Sequence, residues 1–144
     1  MQTAVPDAAN INAVYRTMVK VWIVMLVATI LLFSMTMIIG QFASRTTRLD
    51  SPFFVYATVG LGLFYFSLSF TYSRRYHKKA MERRSLRLAL VALLLTLGMC
   101  EVTSLFGVVV FFATQSRYYF LLFVLGVLGF VLHFPKKAHL AFEI

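Results

Sequence analysis

The sequence predicts an all-α integral membrane protein, a four-helix bundle of four transmembrane helices with both termini cytoplasmic. Three observations lead there. Of 144 residues, 60% are hydrophobic and 13% charged, and the mean hydropathy is +0.82; a soluble fold of this size cannot hide so much apolar surface. The apolar residues gather into four runs, close to the roughly 20 residues that a hydrocarbon core demands. The basic residues fall between those runs, and 11 of the 14 lie on one side of the resulting topology.

The elements follow in order. Residues 1–20 are a polar N-terminal segment in which Pro6 and Asp7 can start a short helix towards the first span. Span one, 21–40, contains no charge, and its apolar stretch is longer than the core of a typical signal peptide, so it is expected to stay in the membrane. Span two, 53–72, opens after "LDSP", where Asp50 or Ser51 can cap and Pro52 suits the first turn. Residues 73–87 form a basic loop containing neither Gly nor Pro, so a helical stem is expected there, with Glu82 placed to pair with Lys78 and Lys79. Span three covers 88–114, and span four, 118–134, is stopped by Pro135. In the tail, 135–144, "AHLAFEI" is suited to lie along the interface.

Direction follows from the basic residues. Arg16, Lys20, Arg74, Arg75, Lys78, Lys79, Arg83, Arg84, Arg87, Lys136 and Lys137 share one side, whereas Arg45, Arg48 and Arg117 share the other. The richer side is expected to be cytoplasmic. Trp22, Tyr72 and Tyr76 fall at that inner boundary and Tyr118 and Tyr119 at the outer one, as interfacial aromatic belts do. The seven basic residues of the loop, Arg74, Arg75, Lys78, Lys79, Arg83, Arg84 and Arg87, read as a docking surface for lipid headgroups or for a partner. A bacterial inner membrane is the expected location.

Several function classes fall away. The net charge of +9 is dispersed between apolar runs rather than collected into a stripe, so no nucleic-acid partner is predicted. Cys100 is the only cysteine, which rules out an internal disulfide, a CxxC pair and a cysteine zinc site. His77, His133 and His139 lie at or beyond the membrane edges, and no Ser-His-Asp set or phosphate-binding loop can be assembled. Neither catalysis, nor a metal, nor a cofactor is predicted.

The residue that stands out is Glu101, one of five acidic residues, in "GMCEVTSLFGVVVFF" (98–112). It lies about 20 Å along span three, where a carboxylate is costly and is expected to face a bundle interior or water. Desolvation disfavours the charged form, so the carboxyl is expected to be protonated. No Lys or Arg lies within any apolar span. Hydroxyl partners are available in Thr29, Ser34, Thr36, Ser67, Ser69 and Thr71, and in Tyr65 at middle depth. Gly98 and Ser104 flank Glu101 at helical spacing, small residues that let another backbone come close. Gly107, Gly126 and Gly129 read as further packing notches, and Cys100 as a small packing residue.

Glu101 followed by Ser104, Leu105, Phe106, Gly107, Val108 and Val109 resembles the ion-carrying helix of rotary ATP synthase c-type proteolipids. The resemblance covers residues 98–112 and implies a proton- or sodium-binding carboxylate at Glu101; with Ser104 and the middle-depth hydroxyl of Tyr65 it makes up the candidate ion- or proton-binding set. It does not imply a rotor ring: span two has only Gly60 and Gly62 where proteolipids carry alternating glycines, and spans one and four are extra. Two readings result. The first is an accessory or structural subunit of a larger membrane complex, homo- or hetero-oligomeric, with a buried protonated Glu101 at a helix contact. The second is a proton- or cation-coupled transport component in which Glu101 binds and releases the ion.

Overall fold

The computed structural model describes residues 8–42, 51–83 and 85–136. Four helices follow one another, α1 (Ala8–Phe42), α2 (Pro52–Glu82), α3 (Leu86–Thr114) and α4 (Tyr118–Leu132), with no strand among the described residues. The architecture is an all-α four-helix bundle. Three of its helices, α1, α2 and α3, are long and apolar enough to cross a membrane. The fourth has 15 residues, about 22 Å of helix, less than a ~30 Å hydrocarbon core. It ends two residues before the predicted boundary at 134, because His133 takes the cap position and its N–H donates back to the Gly129 carbonyl at 3.0 Å.

Local sequence explains the other ends. Ser51 is extended, its hydroxyl accepts from the Phe54 N–H at 3.4 Å, and Pro52 takes the first helical position, where a missing N–H is no loss. Ser85 caps α3 in the same way through the Leu88 N–H at 3.4 Å. Helix α2 therefore runs on to Glu82 and α3 starts at Leu86, so the basic segment is two helix ends joined by a short turn. At 31 residues, α2 is about 46 Å long and must project beyond the hydrocarbon. Helix α3 stops at Gln115, which adopts a left-handed φ of 52° and donates its N–H to the Phe111 carbonyl at 2.8 Å. Arg84, the first seven residues, the 43–50 connection and the tail from 137 lie outside the described residues, and with them the expected roles of Pro6, Asp7, Arg45, Arg48, Asp50 and "AHLAFEI".

Small residues make up much of the interior, beside the buried Leu97, Val110, Leu122, Phe123 and Phe130. Thr29, Thr36, Thr58, Ser69, Thr96, Thr103, Ser104, Ala80, Ala89 and Ala92 are buried, while Val24, Leu31, Phe53, Phe64, Phe120 and Val131 are exposed. Lipid tails give no hydrophobic drive for burying Leu, so membrane helices meet through small residues that allow close backbone approach. Helix α3 is central and touches the other three. Its contact with α2 includes one interhelical hydrogen bond, from the Thr103 hydroxyl to the Gly62 carbonyl at 3.3 Å.

Helix α1 is the least covered of the three long helices: 11% of its apolar window is buried, against 44% in α3. It attaches along its length, through Phe33 against Phe123 at 4.9 Å and, at the basic end, through Met18, which joins Ala80, Ala89, Leu93, Leu97, Cys100 and Phe130 in one cluster. There Trp22 donates its indole N–H to the Phe130 carbonyl at 2.8 Å, and its ring packs edge-on against Phe134 at 5.0 Å. The last four carbonyls of a helix have no partner in their own chain segment, so Trp22 fills a vacancy that α4 leaves. Trp22→Phe is expected to destabilise the fold by about 1 kcal/mol, the net worth of such a hydrogen bond. Reversible unfolding in detergent measures it, and a midpoint equal to that of the parent would contradict this role.

Candidate functional site: the outward face of α3

The placement of Glu101 differs from the buried one expected. Its side chain is half-buried, and among the described residues no hydrogen bond or ion pair reaches it. The expected hydroxyl partners are engaged elsewhere. Thr29 donates to the Met25 carbonyl at 3.1 Å, Ser34 to Ile30 at 2.9 Å, Thr36 to Leu32 at 2.7 Å, Ser67 to Leu63 at 2.8 Å and Ser69 to Phe66 at 2.7 Å. In a poorly hydrating medium, a Ser or Thr hydroxyl finds its own helix's carbonyl one turn back before it finds a neighbour. Thr71 is exposed.

The proposed neighbours of Glu101 also separate. Ser104 is fully buried and faces α4, where its hydroxyl meets the site of Gly126 and lies 3.5 Å from the Cys100 carbonyl. Tyr65 stacks obliquely on Phe106, ring centroids 5.8 Å apart. At 100° per residue, Phe106 is turned far round the helix from Glu101. Among the described residues no hydrogen bond joins Glu101 to Ser104 or to Tyr65.

Of the small residues, Gly107, Gly126 and Gly129 are buried notches within the chain. A Cβ on Gly107 would lie 3.0 Å from the Tyr119 carbonyl, and one on Gly129 would lie 2.5 Å from Cys100 Sγ. Gly98 is different: nothing lies within 4 Å of the position its Cβ would take. It shares the outward side of α3 with Glu101.

That side has a regular pattern. Leu94, Gly98, Glu101, Leu105, Val108 and Phe112 follow one another at alternating steps of four and three residues, and none is buried. Leu94, Leu105 and Phe112 are among the exposed large hydrophobics. Steps averaging 3.5 residues keep one seam facing a partner helix in a left-handed crossing. The sequence held this seam, but reading it required knowing which side of an apolar helix its own bundle leaves open.

The basic loop residues Arg74, Arg75, Lys78, Lys79, Arg83 and Arg87 are exposed, with the Lys79 ammonium 5.9 Å from the centre of the Tyr76 ring. Among the described residues no group of three or more His, Cys, Asp or Glu side chains is placed to hold a metal ion.

Fold and site together define a helical membrane-type bundle with, on an outward helical seam, a carboxyl that has no partner among the described residues. Comparison with known protein families, with curated proteins and with solved structures found no match.

Proposed function

We propose that the protein is an accessory subunit of a larger membrane assembly, and that it docks to another subunit's transmembrane helix along the seam from Leu94 to Phe112. The observation that carries this reading is a carboxyl midway along α3 with no partner among the described residues, set beside the open notch of Gly98. A carboxyl left unmet in hydrocarbon is costly, so a partner side chain is called for. A second copy is a poor source, since it holds no Lys or Arg within its apolar spans and its hydroxyls at Thr29, Thr36 and Ser69 are buried in its own bundle. A different helix bearing an amide, hydroxyl or basic group is the better complement. With 11 of 14 basic residues on one side, we read both termini and the stem as cytoplasmic and the membrane as a bacterial inner membrane, and we assign no catalytic role.

Photo-crosslinking in the native membrane tests the docking. A benzophenone side chain placed at Leu94 or Leu105 is expected to yield one discrete protein adduct, and the same probe at Val24 or Leu31 of α1 to yield lipid products only. Glu101→Gln keeps the adduct, because an amide replaces a neutral acid as donor. Glu101→Leu weakens it roughly fivefold, a loss of about 1 kcal/mol. No discrete adduct at either seam position would end this reading.

A second reading has one observation in its favour: a carboxyl that no hydrogen bond among the described residues holds in place is free to exchange an ion. In that case Glu101 loads and releases a proton or cation, and Glu101→Gln abolishes function while leaving the adduct intact. Infrared difference spectra against Glu101→Gln separate the two. A carboxyl band that comes and goes between about pH 5 and pH 9 favours ion coupling, and one that persists throughout favours docking.

A further inference from the structure

The basic end of the bundle holds a cavity of about 80 Å³ walled by all four helices. One water needs roughly 10–15 Å³ by the same measure, so a group of several heavy atoms fits. The cavity is two-sided. Ser73, His77 and Lys136 supply a hydroxyl, an imidazole and an ammonium, His133 turns its Nδ1–H to the Gly129 carbonyl at 2.8 Å, and Met18, Leu93, Leu132, Phe134 and Pro135 supply an apolar wall. Among the described residues no carboxylate lines it. Its depth is marked by Trp22, whose ring packs on Phe134, one of the lining residues. The exposed Arg74 and Arg75 flank Ser73 on α2 and add positive charge at the same end.

The geometry points to a binding site for the phosphate-bearing headgroup of an anionic membrane lipid. An ammonium and a hydroxyl gathered with no carboxylate among the described lining residues suit a phosphate oxyanion, and basic pockets between helices at a membrane surface are where such headgroups lodge. A free phosphate offers the same oxyanion. The apolar wall favours the lipid, because a soluble ion gains nothing from Met18, Leu93 and Phe134, whereas a glycerol backbone and the start of an acyl chain do. None of this depends on the partner seam of α3, which lies on the outward face of that helix.

Native mass spectrometry of the delipidated full chain in detergent tests the assignment, with dioleoylphosphatidylglycerol, dioleoylphosphatidylcholine and inorganic phosphate as probes. The expected result is one retained phosphatidylglycerol adduct, weakened about fivefold by Lys136→Gln, the usual worth of one basic side chain at a lipid surface. Ser73→Phe, which fills the cavity, is expected to weaken it at least as much, and Arg74→Gln with Arg75→Gln much less. Lys136 is exposed, so its variant folds even if Ser73→Phe does not. Displacement of the lipid by millimolar inorganic phosphate overturns the lipid assignment in favour of the soluble ion. Equal binding of phosphatidylcholine, or loss on changing Arg74 and Arg75 with no loss for Lys136→Gln, overturns the site.

Discussion

Gly126→Leu is expected to break the bundle. A Cβ at Gly126 lands on the Ser104 hydroxyl and lies 3.1 Å from the Cys100 carbonyl, which as helix backbone cannot swing aside. The next notch along α4 is equally filled, since a Cβ added at Gly129 would lie 2.5 Å from Cys100 Sγ and 3.1 Å from Cys100 Cβ. Helices α3 and α4 meet here at near-backbone distance, so a larger side chain must push them apart along the whole contact. Overpacking a tight site by even a methylene or two costs about 1–3 kcal/mol, and leucine adds more than that. Thermal unfolding in detergent should show a loss of at least about 3 kcal/mol. The cause can be checked with a smaller pair. Gly126→Ala alone is destabilising, and adding Ser104→Ala, which removes the clashing oxygen and leaves its Cβ at 3.3 Å, is expected to recover most of the loss. A Gly126→Leu chain as stable as the parent would mean that the two helices do not meet there.

Gly98→Leu should do the reverse. The site is open, so the chain keeps its fold, and exchanging a mid-helix glycine for leucine favours the helix by up to about 1 kcal/mol. What it removes is the notch beside Glu101. If a partner helix lies along the seam, a leucine in its path is expected to reduce the Leu105 photo-adduct at least about tenfold, a change of roughly 1.4 kcal/mol. The unfolding midpoint of the isolated chain stays the same or rises. A fall in that midpoint would show that Gly98 is a contact within the chain, and an undiminished adduct would show that the seam is not where the partner sits. The two glycines, in neighbouring layers of the same bundle, thus separate folding from assembly.

Much of this fold was legible without coordinates, and for local reasons. Ser51 with Pro52 marks the start of α2 because a cap and its first turn need only neighbouring residues. The basic stem remains helical to Glu82 because nothing in it lacks an N–H or prefers a left-handed turn. Gly126 and Gly129 could be read as notches because two small residues on one helix face invite a close neighbour. The site was less legible. Ser73, His77, Thr96 and Lys136, drawn from α2, α3 and the segment that follows α4, meet only because the bundle closes, and no spacing along the chain announces them.

The sequence by itself determined the class of the protein, its helices and the position of one carboxyl midway along an apolar segment. These depend on hydropathy, length and caps, all of them properties of consecutive residues. Only the tertiary structure decided which way that carboxyl faces. Gly98 and Ser104 each lie three residues from Glu101, but on opposite sides of it in the chain. A helix turns ~100° per residue, so the two are carried to opposite flanks of Glu101, about 120° apart. Ser104 turns inward to Gly126, Gly98 turns outward to open space, and Glu101 is left at the border between them. An apolar helix in an apolar solvent shows no hydrophobic stripe to say which flank is covered, and the answer comes from the fit of small residues on the neighbouring helices.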